Sequence, residues 1–261
     1  MNRHERLSLL ASLIIERGFV RVEDIEKELD VSAATARRDL DVLASQQLIT
    51  RTRGGATANT ASGELPLRYR AARRGEDKQR IAEAAAAMVR PGQVVALNGG
   101  TTTTAVALEL GIQSAAHQRF SEHPLTVVTN AVNIAADLTV REGVRVVCTG
   151  GVARAQSYEL IGPLAELILP RISIDIAFLG VSGIVAGEGV FTLSDSEATI
   201  NALFGKGARE VVVVADSSKL GVHAFAKILD APEVDVLITD SGADPEMVHD
   251  LEESGTRVRV V

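Results

Sequence analysis

Cysteine is nearly missing from this chain: Cys148 is the only one in 261 residues. A disulfide framework is thereby excluded, and so is a structural zinc site held by cysteines. Cys148 closes the apolar run Val144-Arg145-Val146-Val147-Cys148, which predicts a buried strand residue rather than a reactive thiol. No apolar run approaches the roughly 18 residues that span a bilayer. The start, Met1-Asn2-Arg3-His4-Glu5-Arg6, leads into an amphipathic pattern without the layout of a secretory signal. A protein of a reducing, cytoplasmic compartment is expected. Neither a G-x-x-x-x-G-K-[ST] phosphate loop nor a G-x-G-x-x-G fingerprint occurs, so nucleotide binding is disfavoured. Internal repeats and low-complexity tracts are also lacking.

What is present is apolar and unevenly charged. The chain is 46% hydrophobic with a mean hydropathy of +0.15, and its length suits one large domain or two modest ones. Residues 1–80 hold 15 Lys+Arg against 12 Asp+Glu, a net of +3. Residues 81–261 hold 12 against 22, a net of −10. A basic face on an acidic body allows local phosphate contact despite an overall charge of −7.

Three short helices are expected first. Leu7, Leu10, Ala11, Ile14 and Ile15 recur on one helical face, and Gly18 suits a C-terminal cap. Phe19-Val20-Arg21-Val22 is an extended link; Ile25 and Leu29 mark a second helix within Glu23–Leu29. After a turn at Asp30-Val31, Ser32 stands where an N-cap belongs, and Ala36, Leu40 and Leu43 give a third helix its inner face. Leu48–Arg53 with Gly54-Gly55 suits a small strand and turn.

This order is a helix-turn-helix, whose third helix enters the DNA major groove by its N-terminal end. The outward set is then Ala33, Ala34, Thr35, Arg37 and Arg38. Arginine suits bidentate contact with guanine or a phosphate clamp. Arg51 and Arg53, beside flexible glycines, fit a wing reaching phosphate or the minor groove. Two arginines alone would be an ordinary solvated helix face; the cap, the helix lengths and the basic glycine turn together favour a reader. The candidate DNA-contacting set is Val20, Ser32, Ala33, Ala34, Thr35, Arg37, Arg38, Asp39, Arg51, Arg53 and Gly54.

Residues 56–66 are small, polar and non-periodic, a linker composition. Leu67–Met88 reads as one helix, basic at its start, where Arg68, Arg70, Arg73 and Arg74 lie between reader and body. The expected division is a reader at 3–58, a connecting segment at 59–75 and an α/β domain at 76–261. In that domain apolar runs at Val94–Leu97, Leu125–Val128, Val144–Cys148, Ile174–Leu179, Val211–Ala215, Val234–Thr239 and Val258–Val261 predict strands buried on both faces of a parallel sheet. Helices are expected between them, among others at Thr103–Leu110, Ala131–Thr139 and Asp195–Phe204.

The loop Asn98-Gly99-Gly100-Thr101-Thr102-Thr103-Thr104 follows a strand and opens a helix, a setting that offers free backbone N–H groups to an anion. Other polar residues stand at strand C-termini, where open α/β sheets bind ligands. The candidate effector set is Asn98, Gly100, Thr101, Thr102, Thr103, Asn130, Gly151, Ser182, Gly183, Asp195, Glu197, Asp216 and Lys219. Each alone suits a turn or cap; their recurrence at one sheet edge argues for a shared pocket. No metal and no cofactor are implied.

Val31-Ser32-Ala33-Ala34-Thr35-Ala36-Arg37-Arg38-Asp39-Leu40 and Arg51-Thr52-Arg53-Gly54-Gly55-Ala56 strongly resemble the DeoR-type (DeoR/GlpR) regulators of bacterial sugar metabolism. Ala36 replaces the branched residue usual there. The resemblance continues through Glu76-Asp77-Lys78-Gln79-Arg80-Ile81-Ala82, Gly100-Thr101-Thr102, Thr129-Asn130, Gly150-Gly151, Gly180-Val181-Ser182-Gly183 and Asp216-Ser217-Ser218-Lys219. It implies a winged helix-turn-helix joined to a sensor domain related to ribose-5-phosphate isomerase. It also implies operator DNA and a phosphorylated sugar as partners; a homodimer or homotetramer is expected, to place two reading helices on one operator. Asn98 stands where many members carry Asp. An isomerase-like enzyme with a DNA-binding appendage is the alternative, with Asp195, Glu197, Asp216 and Lys219 as acid–base candidates. A fused DNA reader makes sensing without catalysis the simpler reading.

Overall fold

A computed structural model describes residues 3–46, 48–59, 67–70, 74–117 and 119–261. The chain forms two compact units, divided between residues 73 and 74. The first comprises α1 (Arg3–Arg17), β1 (Phe19–Arg21), α2 (Val22–Leu29), α3 (Ala33–Ser45), β2 (Ile49–Thr52), β3 (Gly55–Ala58) and α4 (Leu67–Arg70). Leu10, Ala11 and Ile14 of α1 meet Ile25 of α2 and Ala36, Leu40 and Leu43 of α3 in one fully buried cluster. The third-helix face read from the sequence is therefore the packed one. Ser32 caps α3 from extended backbone, its hydroxyl accepting from the Thr35 N–H at 3.3 Å.

Phe19–Arg21 is more than a link. It pairs antiparallel with β3, which pairs with β2, giving a three-stranded wing of order β1-β3-β2. Residues 56–58, whose composition reads as linker, are thus strand, while 60–66 and 71–73 lie outside the described residues. The single helix expected over Leu67–Met88 is two pieces. Arg74 takes a left-handed backbone (φ 51°), and a new helix starts at Gly75.

The second unit runs α5 (Gly75–Met88), β4 (Val94–Leu97), α6 (Thr101–His117), β5 (Leu125–Thr129), α7 (Val132–Thr139), β6 (Val144–Cys148), β7 (Val152–Ala153), β8 (Leu160–Ile161), α8 (Pro163–Glu166), β9 (Ile174–Leu179), β10 (Gly183–Val185), β11 (Gly189–Thr192), α9 (Asp195–Gly207), β12 (Ala208–Val214), β13 (Ala226–Asp230), β14 (Val236–Thr239), α10 (Pro245–Glu253) and β15 (Arg257–Val260). Seven strands form one parallel sheet of order β15-β14-β12-β9-β4-β5-β6. Alternation along each strand feeds two cores. Val95, Leu97, Val127, Phe178 and Val212 pack under Ile81, Leu110 and Ile134 of α5, α6 and α7. Ala96, Val128, Ala177, Leu179 and Val213 pack under Ile200, Phe204 and Leu251 of α9 and α10. Burial on both faces is why the inner strands of this sheet read as apolar runs.

The edges of the sheet behave differently. Cys148, expected to be buried, is exposed, because β6 has a neighbour on one side only. β10, β11 and β13 form a separate antiparallel sheet, and β7 pairs with β8 as a small hairpin.

Candidate functional site

The capped start of α3 carries the first group of candidates. Arg37 and Arg38 are exposed, and neither makes a hydrogen bond or ion pair among the described residues. Ala34 and Ser32 are exposed beside them, with Ala33 and Thr35 half-buried. At the wing, Arg53 and Gly54 (φ 87°) form the tip between Thr52 and Gly55, which face each other in the β2–β3 register. Arg51 lies 3.4 Å from Asp41 of α3, a surface pair that a DNA phosphate can displace at small cost.

Two residues of the DNA-contacting set point elsewhere. Asp39 is buried, and its carboxylate is gripped by Arg6 of α1 through Nε at 2.6 Å and Nη2 at 3.4 Å. The pairing holds the Arg6 guanidinium above its ordinary value, mainly through the hydrogen bond to Asp39. Asp39 therefore fixes α3 on α1 and offers nothing to DNA. Val20 is also buried, in the cluster beneath the wing. Its place opposite Ala56 in the β1–β3 ladder makes it a wing support.

In the second unit the chain leaves β4 toward β5 and β6, then returns on β4's other side as β9. Such a reversal of strand order opens a crevice at the strand C-termini, the usual ligand site of open α/β sheets. Asn98 follows β4 and Gly180 follows β9. The Asn98 side chain donates to the Gly180 carbonyl at 2.9 Å and accepts from the Gly180 N–H at 2.8 Å. Asn98 thus spends its amide on the scaffold of the crevice.

The loop that follows is partly committed as well. The Thr103 and Thr104 hydroxyls both donate to the Gly100 carbonyl, at 3.2 and 2.6 Å. Thr103 is therefore a poor ligand donor, contrary to its place in the effector set. The hydroxyls of Thr101 and Thr102 make no such bond among the described residues, and the first N–H groups of α6 face the loop without helical partners. The Gly99 N–H donates to Glu159 Oε1 at 2.6 Å. At the end of β5, fully buried Asn130 donates weakly to the Leu160 carbonyl, while its Oδ1 makes no hydrogen bond within the described protein.

Several further candidates have backbone or side-chain groups engaged within the protein. A Cβ on Gly183 would overlap the Val222 carbonyl, and one on Gly151 (φ 118°) would crowd the Ile161 carbonyl, so both are glycine for close packing. Ser182 donates its N–H to the Phe191 carbonyl at 2.8 Å. Glu197 is buried and held by Arg154 at 3.0 Å and by the Thr192 hydroxyl at 3.1 Å. Asp195 is exposed at the start of α9, where its carboxylate accepts from Ser196.

After β12, Asp216 accepts from the Ser218 N–H at 3.1 Å and from the Ser218 hydroxyl, and Lys219 is half-buried in the same turn. Asp240, one residue beyond β14, belongs here although the sequence reading passed over it. It accepts from the N–H groups of Ser217 (2.6 Å) and Gly242 (2.9 Å) and faces Arg74 at 3.6 Å. Arg74 also donates to the Ser217 hydroxyl at 2.6 Å and stands 3.8 Å from Asp216. Burial pushes the Asp240 carboxyl up, but the donors of Ser217 and Gly242 and the Arg74 charge outweigh it and hold the group below its ordinary value. The rule that pointed to Asp216, a polar residue just past a strand, would have found Asp240. Glu159 and Arg154 lie in the 152–161 hairpin, whose composition carries no comparable signal.

Comparisons with known proteins agree along the length. Residues 6–62 match the DeoR-like helix-turn-helix domain, and residues 73–241 match the DeoR C terminal sensor domain. The chain is 32% identical to a putative aga operon transcriptional repressor of Escherichia coli O157:H7, over 98% of this chain and 93% of that one. It is 33% identical to the HTH-type transcriptional regulator GlpR of Haloferax volcanii, over 97% and 96%. It is 31% identical to the glycerol-3-phosphate regulon repressor of Escherichia coli K12, over 92% of each. Among solved structures, a D-ribose-5-phosphate isomerase in complex with phospho-erythronic acid aligns over 56% of this chain and 53% of that one, at 16% identity and a TM-score of 0.41.

Proposed function

Because the chain belongs to the DeoR family of helix-turn-helix transcriptional regulators, we propose that it represses genes of carbohydrate catabolism and is released from its operator by a phosphorylated sugar. α3 lies in the major groove with Arg37 and Arg38 toward the bases, and Arg51 and Arg53 of the wing meet the phosphates. The effector lies at the C-terminal ends of β4, β5, β9 and β12, its phosphate on the start of α6 near Thr101 and Thr102. Lys219 and Asn130 are the further candidate contacts, to phosphate and to sugar hydroxyl. The protein works in the cytoplasm as a homodimer or homotetramer, which sets two reading helices about 34 Å apart on successive turns of DNA.

The observation that carries this reading is the crevice at the β4/β9 reversal, lined by a helix start with free N–H groups, in a chain that also carries a capped reading helix. The names of the relatives, repressors of an aga operon and of a glycerol-3-phosphate regulon, support it. Catalysis is disfavoured by the state of the carboxylates. Glu197 is held by Arg154 and Thr192, Asp216 by Ser218, and Asp195 is exposed, so none is poised as a general base. A thermal-shift screen against sugar phosphates tests the effector, since a ligand that binds the folded state raises its stability by mass action. At least one compound stabilises the protein and releases operator DNA in a retardation assay; a screen with no such compound overturns the sensor assignment.

A further inference from the structure

Glu159 places a carboxylate inside the anion loop. The residue is buried, just ahead of β8, and its Oε1 accepts from the Gly99 N–H at 2.6 Å. Gly99 is shaped around it: a Cβ there would overlap Glu159 Cγ and lie 2.6 Å from Oε1. The hairpin that carries Glu159 is itself tied to the crevice wall. Leu160 N–H donates to the Asn130 carbonyl at 2.6 Å, Val132 N–H donates to the Tyr158 carbonyl at 3.0 Å, and Arg154 reaches Glu197 of α9 at 3.0 Å. Tyr158 holds a left-handed backbone (φ 61°) beside it. A carboxylate therefore uses a backbone donor of the loop two residues ahead of Thr101, where the effector's phosphate is assigned.

We propose that Glu159 is an internal competitor of the effector, a specificity-setting residue whose carboxylate stands in for the phosphate in the free protein and is displaced by it. Two anions sharing one group of N–H donors repel at short range, where the surroundings screen poorly. Only a ligand that takes over the Gly99 N–H from the carboxylate and adds further contacts overcomes this, so free inorganic phosphate binds poorly and a phosphorylated sugar well. Displacement of Glu159 also removes one of the hydrogen bonds that hold the 152–161 hairpin to the crevice, so binding loosens the hairpin while its backbone ties to Asn130 and Val132 remain. The inference rests on the sugar-phosphate reading above.

The test compares the full-length wild type with Glu159→Gln, which keeps an oxygen acceptor for the Gly99 N–H and removes the charge. Each is titrated by thermal shift with inorganic phosphate and with any sugar phosphate that stabilises the wild type. The variant half-saturates at about tenfold lower concentration of at least one of these, a modest estimate for removing a like charge at contact range. Equal or weaker binding by the variant overturns the role of Glu159 and leaves the sensor reading standing. No binding of any phosphorylated compound by either protein overturns both. Should Glu159→Gln fail to fold, hydrogen exchange on the wild type decides: peptides over 152–161 exchange faster when ligand saturates, and unchanged or slower exchange overturns displacement.

Discussion

Asn98 hydrogen-bonds both backbone groups of Gly180, donating to its carbonyl at 2.9 Å and accepting from its N–H at 2.8 Å. One buried amide thereby ties the end of β4 to the end of β9 across the strand-order reversal. An ionised Asp at this position accepts from the N–H but sets a buried negative charge against the carbonyl. Asn98→Asp therefore costs about 1–3 kcal/mol, the usual penalty for a buried polar group that loses its partner. Urea unfolding measures it; an unchanged midpoint would refute the bridging role. The departure from the Asp common in the family is thus a change in how the crevice is braced, besides a change in its charge.

Arg37→Ala and Arg38→Ala each weaken operator binding about five- to 150-fold, because a bidentate arginine–guanine contact is worth roughly 1–3 kcal/mol. Thermal stability stays within the small range of a surface change, since both side chains are exposed. Fluorescence anisotropy at two salt concentrations separates the roles. A base-reading arginine lowers affinity for the operator more than for random DNA, whereas a phosphate contact lowers both and reduces the salt slope by about one.

Asp39→Ala gives the opposite pattern to Arg37→Ala. Removing the buried carboxylate strands Arg6, and breaking such a pair costs about 2–4 kcal/mol here, below the full penalty because Arg6 is partly exposed. DNA binding falls only as far as the first unit unfolds, so cooling restores it. Loss of binding by a variant as stable as the wild type would return Asp39 to the DNA-contacting set.

How much of this was legible in the sequence depends on how local the cause was. The five inner strands, β14, β12, β9, β4 and β5, show as apolar runs because both faces of each are covered, and Ser32 shows as a cap because its partner, Thr35, is three residues away. The crevice-facing loops follow from the strands that precede them. Asp39 sits one position before Leu40 on α3, and only the approach of Arg6, 33 residues earlier, makes its site internal. The contact between Gly99 and Glu159 spans 60 residues and depends on a hairpin of two-residue strands with no pattern to read. Cys148 sits in an apolar run like the others, and its exposure follows from the edge position of β6, a matter of strand order. The break at Arg74 requires a left-handed backbone that arginine does not signal.

Asp240 gives the second unit a measurable acid limit. Its folded value lies below the ordinary one, which in an unfolded chain is about 3.9. Its contribution to stability is therefore fully present above that pH and is lost as pH falls through the lower folded value. Urea unfolding between pH 3 and 7 shows the decline at the acid end. Asp240→Asn flattens that end of the profile, and Arg74→Met reduces the decline by removing the one charge that helps hold the value down. Identical profiles for wild type and Asp240→Asn would assign the acid limit to other carboxylates.

Two adjacent glycines in the wing are there for different reasons, and this separates their variants. Gly54 has φ 87° with nothing near the position of a Cβ, so its demand is conformational. Asn, which tolerates left-handed backbone, replaces it for about 1 kcal/mol or less. Gly55 has no positive φ, but a Cβ would overlap the Val20 carbonyl, a backbone atom that cannot swing aside. Gly55→Ala must part β1 from β3, at the pair Arg21 and Gly55, and so detach the wing that holds Arg51 and Arg53. It costs about 1–3 kcal/mol, in the range of overpacking, and lowers DNA affinity as the wing arginines lose their placement. The pair is checked by thermal melts and operator anisotropy side by side. A Gly55→Ala protein that melts and binds like Gly54→Asn would show that β1 is not what positions the wing.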